Sequence, residues 1–322
     1  MTERDVLVPP TLGVVASIGD LPEGRAWLDA LPALIAELRD AWTLRLGPPW
    51  AGGSCSWAAP ASLPDGRSAV LKISWPHPEM MGEAAALRVW HGHGTVSLYA
   101  HDGVLHGLLL ERADPGTTLG DSPLPAEERL LVAARLLARL WSAPVDPAFV
   151  RSAGTGGDPG GFDVLGDVTA RWADLVEQRM ARLRPGFDPG LVAHGARLLR
   201  ELPASAPRRV LVHGDANPGN ILAARREPWL VIDPKPMYGD PGYDPWKLVE
   251  QIDDPFRHPD PAAVLKRRFA LFGDVTGEDP ARLAAWATAR RVEDSLWWVS
   301  RGNPPSHRAM AEAALLAAVA GL

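Results

Sequence analysis

Two aspartates and an asparagine hold the strongest chemical signal in the chain. They fall in His213-Gly214-Asp215-Ala216-Asn217-Pro218-Gly219-Asn220 and, beyond a short hairpin, in Asp233-Pro234. A hydroxyl that attacks a phosphoryl group needs a carboxylate to orient it and take its proton. The phosphates need magnesium, which prefers a few hard oxygen ligands and keeps several waters. Asp215 suits the first task, and Asn220 and Asp233 suit the second. Taken singly, each has a plain structural role: a polar turn, an Asx turn, a strand-end carboxylate. Their joint offsets favour phosphoryl transfer, and His213-x-Asp215-x-x-x-x-Asn220 has the spacing of a kinase catalytic loop.

The neighbouring residues supply a way to bring the three together. Arg209-Val210-Leu211-Val212 reads as a strand entering the loop. Ile221 to Ala224 and Trp229 to Ile232 read as two more strands, separated by a turn at Arg225-Arg226-Glu227-Pro228. A hairpin returns its ends side by side, so Asn220 and Asp233 should emerge together, facing Asp215. His213 is expected to pack the loop. Asp244, in Tyr243-Asp244-Pro245-Trp246, is expected to start a helix and brace the loop.

Lysine is scarce: of 33 basic residues only Lys72, Lys235, Lys247 and Lys266 are lysines. A compact ammonium that persists among arginines deserves a specific role. Lys72 ends the strand-like run Arg67 to Ile73, where burial is costly without an anionic partner. It is assigned to the nucleotide α- and β-phosphates, with Glu83 and Glu79, one turn apart on one helix face, as candidate ion-pair partners. Ser54 and Ser56, in Gly52-Gly53-Ser54-Cys55-Ser56, offer hydroxyl and N–H donors to phosphate. Backbone groups from Glu111 to Ala113 would meet the adenine edge. Lys235, beside Asp233, receives no firm role.

The rest of the chain supports a clamp. Its 322 residues, 46% of them apolar, suffice for two lobes. The first, residues 1–111, reads as an antiparallel sheet with one inserted helix. A helix at Glu23–Arg39 precedes it, followed by strands at Ala41–Leu46, Trp57–Leu63, Arg67–Ile73, Val96–Tyr99 and Leu105–Leu110, with the inserted helix at His77–His91. The second lobe, residues 112–322, is dominated by helical spacing: Pro125–Trp141, Val164–Leu183, Pro189–Leu202, Asp244–Ile252, Ala262–Val275, Pro280–Ser300 and Ser306–Ala320. Ser152 to Gly161 reads as a mobile surface loop. The fold class expected is α+β.

The net charge of −6 is spread without a basic stripe, which argues against nucleic acid. Cys55 is the only cysteine, and neither a signal peptide nor a run of about 18 apolar residues is visible. A cytoplasmic monomer acting on a small, cationic molecule is expected. For that molecule, carboxylates and aromatic faces are the natural partners: Asp240, Asp253, Asp254, Glu293, Asp294 and Trp297. Trp298 cannot share one pocket with Trp297, so one of the two is expected in the core.

The chain also resembles the aminoglycoside phosphotransferases, in particular the streptomycin 6-phosphotransferase and hydroxyurea phosphotransferase branch. The likeness rests on Gly24-Arg25-Ala26-Trp27 with Leu31-Pro32-Ala33-Leu34, on Arg226-Glu227-Pro228-Trp229-Leu230 through Asp233-Pro234, and on Gly239-Asp240-Pro241-Gly242-Tyr243-Asp244. It implies a bilobal protein-kinase-like fold, ATP and magnesium, and transfer to a small-molecule hydroxyl, with streptomycin the leading acceptor and hydroxyurea or an amino sugar the alternative; it also favours Glu83, just before an Ala-Leu stretch, over Glu79 as the partner of Lys72. The serine-bearing turn at residues 52–56 departs from a protein-kinase glycine loop. Two other classes compete: a nucleotide-binding module without catalysis, and a hydrolytic transition-metal site on His213, Asp215 and Asp233.

Overall fold

Along Ser68–Ser74 (β3) the side chains alternate between two different cores. Ala69, Leu71 and Ile73 join one apolar cluster, which includes Leu31, Ile35 and Leu38. Lys72 and Val70 point the other way, toward the face where Leu108, Leu110, Leu87 and Trp90 belong to a second, larger cluster. This period-two alternation decides that Lys72 faces inward between the sheet and the rest of the protein. In this computed structural model residues 6–77, 80–151 and 161–322 are described.

The sheet has the order β1-β2-β3-β5-β4, all antiparallel, with β1 Arg45–Leu46, β2 Ser56–Ser62, β4 Leu98–Asp102 and β5 Gly107–Glu111. Lys72 lies on the central strand, between Ala58 and Leu108. A short helix, α1 Gly13–Ile18, and a long one, α2 Pro22–Ala41, cover the outer face. On the inner face lies α3, Glu83–Trp90.

The larger part is helical: α4 Ala126–Trp141, α5 Leu165–Leu183, α6 Pro189–Ala204, α7 Trp246–Gln251, α8 Pro261–Thr276, α9 Pro280–Ser300 and α10 His307–Ala320. Three of these helices begin with Asp-Pro, and the carboxylate caps a free N–H: Asp188 to Leu191 at 2.7 Å, Asp260 to Ala263 at 3.0 Å and Asp279 to Ala281 at 3.1 Å. Proline at the first helical position loses no bond there. Among the described residues no helix is long and apolar enough to cross a membrane.

Two small sheets carry the motif residues. The hairpin β9 Ile221–Ala223 and β10 Trp229–Val231 pairs Ile221 with Val231. In the other sheet, of order β6-β7-β11-β8, Val210–Val212 (β8) runs antiparallel to Met237–Gly239 (β11), which lies parallel to Phe162–Val164 (β7), itself parallel to Val150–Arg151 (β6).

Several boundaries differ from those read in the sequence. The first strand is only Arg45–Leu46, because α2 runs on to Ala41 and Thr43 then turns with φ +52°. The inserted helix begins at Glu83 rather than His77; a side chain at the preceding Gly82 would meet Pro236 Cγ at 2.8 Å. The fourth strand lies later than expected, at Leu98–Asp102, because Thr95 and Val96 bridge to Val231 instead. Residues 152–160 of the expected surface loop, and Glu79, lie outside the described residues.

Packing is close where α6 meets α9: a Cβ on Gly195 would sit 2.7–2.9 Å from three side-chain atoms of the fully buried Val292. Gly195→Ala would gain up to about 1 kcal/mol in helix propensity. Overpacking against a stiff β-branched side chain costs about 1–3 kcal/mol. We expect net destabilisation, read as a lower urea midpoint; a higher midpoint would contradict the packing.

Candidate active site

Lys72 is buried, and it is paired on two sides. Its Nζ donates to both oxygens of Glu83, at 2.8 and 2.6 Å, and to Asp233 Oδ1 at 2.5 Å. The Lys72 and Glu83 side chains are 7% and 2% exposed, that of Asp233 35%, so the group opens toward solvent at Asp233. Burial works against the Lys72 ammonium, yet the Asp233 and Glu83 charges raise its pKa above the ordinary amine range. Burial pushes Glu83 up, to about 7, against the pull of Lys72. Asp233 is held below the usual carboxylate range despite burial, chiefly by Lys72.

Asn220 meets this group as the hairpin requires: Ile232 N donates to Asn220 O at 2.9 Å, so Asn220 and Asp233 leave the hairpin together. The Asn220 amide nitrogen donates to Asp215 O at 3.0 Å, which commits the nitrogen and leaves the side-chain oxygen for another partner. Asn217 Nδ2 donates to the same carbonyl at 3.1 Å, and its Oδ1 accepts from Gly219 N and Asn220 N. The loop is thus wound around the backbone of Asp215.

Asp244 fastens the loop from below. Its carboxylate accepts from His213 N at 2.8 Å, Gly214 N at 2.9 Å and Trp141 Nε1 at 3.0 Å. It braces the loop as expected, but it does not cap the following helix, which begins at Trp246 with no side-chain cap. Burial pushes its pKa up. His213 is fully buried and lies parallel to Trp90, ring centroids 6.3 Å apart. Its Nδ1 accepts from Asp215 N at 3.2 Å and its Nε2–H donates to Ile232 O at 3.0 Å, so both ring nitrogens are committed. Among the described residues no set of three His, Cys, Asp or Glu side chains is arranged to hold a metal, which removes the transition-metal reading.

Beside Asp215 lies a cavity of about 310 Å³, whose lining includes Gly214, Lys235, Tyr243, Lys247, Arg290 and Glu293. Lys235 Nζ is 3.3 Å from Asp215 Oδ2 and Lys247 Nζ is 3.7 Å from Oδ1. The Arg290 guanidinium lies 4.3 Å above the Tyr243 ring. Lys235 and Lys247 thus line this cavity, Lys72 is buried against Glu83 and Asp233, and Lys266 stands exposed on α8. Lys247 and Arg290 were not singled out from sequence as site residues; lysine scarcity was the available signal for Lys247.

Other expected site residues are distributed as follows. Glu293 lines the cavity, paired with Arg179 at 3.0 Å. Asp294 is half-buried on the same helix. Asp240 cannot reach a substrate: it is fully buried, and its carboxylate is consumed by Arg282, Trp286 Nε1 at 2.7 Å and Gly242 N at 2.9 Å. Trp297 lies one turn past Glu293 on the outer surface near Arg301, and neither it nor Trp298 is core, at 47% and 48% exposed. Asp253 is bound to Arg268 and His258, and Asp254 caps a short turn at Pro255–Arg257. Ser54 is an exposed loop residue, and Ser56 opens β2 opposite Ser74. The Glu111 carboxylate accepts from Arg226 and from Ser97 N, so its side chain is a brace; Ala113 follows two residues later. Arg226, unforeseen as a brace, also donates to Gly92 O at 2.8 Å and Thr95 O at 2.7 Å, tying the hairpin turn to the sheet.

Comparison with known proteins places this geometry. Residues 42–302 match the family described as aminoglycoside/hydroxyurea antibiotic resistance kinase. The chain is 37% identical over 303 residues to a streptomycin 6-kinase of Streptomyces glaucescens, covering 94% of each chain. It is 38% identical to a hydroxyurea phosphotransferase of Kitasatospora aureofaciens, over 91% of this chain and 81% of the relative. A solved aminoglycoside phosphotransferase in ternary complex with AMP-PNP and hygromycin B superposes with a TM-score of 0.55 at 22% identity, covering 89% of this chain and 97% of that one. That likeness supports the bilobal, protein-kinase-like α+β fold.

Removing the Asp244 carboxylate would strand three donors in the interior, each unpaired group costing about 1–3 kcal/mol. Asp244→Ala should lower the urea midpoint far more than a surface substitution. An unchanged midpoint would show that the loop does not depend on this brace.

Proposed function

The chain belongs to the aminoglycoside/hydroxyurea antibiotic resistance kinases, and we propose that its crevice moves the γ-phosphate of ATP onto a hydroxyl of an aminocyclitol, with streptomycin the first acceptor to test. It is a phosphotransferase that uses ATP and acts on a small-molecule hydroxyl. The observation that supports the fuller reading is a chain of contacts: Lys72 bonds Asp233, the hairpin brings Asp233 out beside Asn220, and Asn220 bonds the backbone of Asp215.

In this reading residues 1–111 and 112–322 are the two jaws of the clamp. Lys72, held by Glu83, passes from Asp233 to the α- and β-phosphates. Ser54 and Ser56 lie on the turn over the phosphates, and the chain from Glu111 to Ala113 offers its backbone to adenine. The acceptor enters the cavity beside Asp215. Asp215 orients its hydroxyl and takes the proton late, because the transition state is loose and the oxygen becomes acidic only as the new bond forms. Glu293 and Asp294 supply negative charge to an ammonium or guanidinium on the acceptor.

The donor set fits magnesium. Asp233 and the free Asn220 oxygen are hard ligands that leave one end of the hairpin together. Magnesium, when bound there, would neutralise phosphate charge.

Purified protein with magnesium-ATP should release ADP and phosphorylate streptomycin; hydroxyurea and amino sugars complete the panel. No transfer to any of them would overturn the acceptor class. Asp215→Ala should cut turnover by about 10²–10⁴-fold while ATP still raises the melting temperature; turnover within a few-fold of wild type would remove Asp215 from its role. Chelation with EDTA should stop the reaction and magnesium should restore it. Asn220→Ala should raise the magnesium needed for half-maximal rate, and an unchanged requirement would exclude Asn220 as a ligand.

A further inference from the structure

Lys235 follows Asp233 by two residues and touches Asp215, so it belongs to the surroundings of both carboxylates that the reaction needs. Its Nζ is 3.3 Å from Asp215 Oδ2, and its charge also acts on Asp233 and Glu83. Its chain position is fixed rather than loose. Asp233 adopts a left-handed φ of +55°, Pro234 and Pro236 flank the lysine, and Lys235 N donates to His213 O at 2.8 Å. Gly214, at φ +81°, passes so close that a Cβ there would lie 1.8 Å from Lys235 O. The loop with Asp215 and the turn after Asp233 are therefore locked together through this one residue.

Lys247 reaches the other Asp215 oxygen from α7, at 3.7 Å. Asp215 thus has its own second cation, and its orientation does not depend on Lys235 alone. In the phosphotransfer reading a phosphoryl group passes from the nucleotide at Asp233 to the acceptor at Asp215, and Lys235 sits on the turn that follows the first and contacts the second.

We propose that Lys235 is a catalytic residue that leaves Asp215 to contact the γ-phosphoryl oxygens as they cross between ATP and acceptor. This rests on the phosphotransfer reading of the crevice. In the step, the acceptor oxygen bonds to Pγ, the bond from Pγ to the β–γ bridging oxygen breaks, ADP leaves with that electron pair, and the acceptor proton passes to Asp215. Negative charge spreads over the three γ-oxygens in the loose transition state. A fixed ammonium there acts more strongly on the transition state than on bound ATP, so it lowers the barrier rather than tightening binding.

The test compares wild type with Lys235→Met, Lys235→Arg and, as a control on the exposed face of α8, Lys266→Met. Each is assayed for transfer to the acceptor and for slow ATP hydrolysis by water, with melting temperatures alongside. Lys235→Met should lose about 100-fold in kcat in both reactions. Its KM for ATP should stay within about threefold, which marks loss of an interaction made in the transition state. Lys235→Arg should recover part of the rate, and Lys266→Met should match wild type. A Lys235→Met kcat within about threefold of wild type would overturn the proposal. So would a rate loss matched by a fall in melting temperature and not relieved by arginine. Hydrolysis by water needs no acceptor, so a wrong acceptor leaves this test intact, whereas wild type that neither hydrolyses ATP nor transfers its phosphate to any acceptor of the panel would sink the parent reading.

Discussion

A single buried ammonium organises this protein. Lys72 sits on the central strand of the amino-terminal sheet, yet its partners come from an inserted helix and from the far side of the crevice. Leaving a charge buried without a partner costs about 3–5 kcal/mol. The sheet, α3 and the β9–β10 hairpin must therefore meet at one point or the structure carries that cost. The arrangement is asymmetric: Glu83 is sealed in, while Asp233 keeps an open side. Of the two partners, Asp233 is the one that solvent or a ligand can reach.

The loop from His213 to Asn220 is built by a different device, the extensive use of backbone donors and acceptors. Asp244 takes two loop N–H groups and the Trp141 indole. His213 spends both ring nitrogens on backbone, and Asn217 and Asn220 both donate to the carbonyl of Asp215. What remains unspent on backbone is the Asp215 carboxylate, set between two lysines at the edge of the cavity. A loop so tightly held cannot adjust its charged groups by moving, so its electrostatics are set in advance of substrate. Such preorganisation is where phosphoryl-transfer enzymes obtain most of their advantage.

Much of this was legible in the sequence because it was local. The offsets from His213 to Asn220, the hairpin that returns Asp233 and the strand that ends near Lys72 each lie within a few residues of their signal. The preference for Glu83 over Glu79 as the partner of Lys72 came from the family resemblance, not from spacing, and the ion pair bears it out. What escaped was long-range or carried by very short elements. The sheet joining β7 to β11 consists of three-residue strands, too short for any periodicity, although it sets where Lys235 and Pro236 fall. Arg226 looked like a turn residue; only the folded chain shows it bound to Gly92, Thr95 and Glu111. Asp240 looked available to a substrate because nothing local announces Trp286 and Arg282, which come from α9 and consume it.

The shortage of lysine makes the central claim open to direct observation. With four lysines in the chain, selective labelling at the side-chain nitrogen and adjacent carbon yields a spectrum simple enough to assign by single substitutions. Adding magnesium-ATP should move the Lys72 resonance as its ammonium exchanges Asp233 for phosphate oxygens, while Lys266 stays unchanged. A saturating nucleotide that shifts Lys266 as much as Lys72, or leaves Lys72 where it was, would contradict the account.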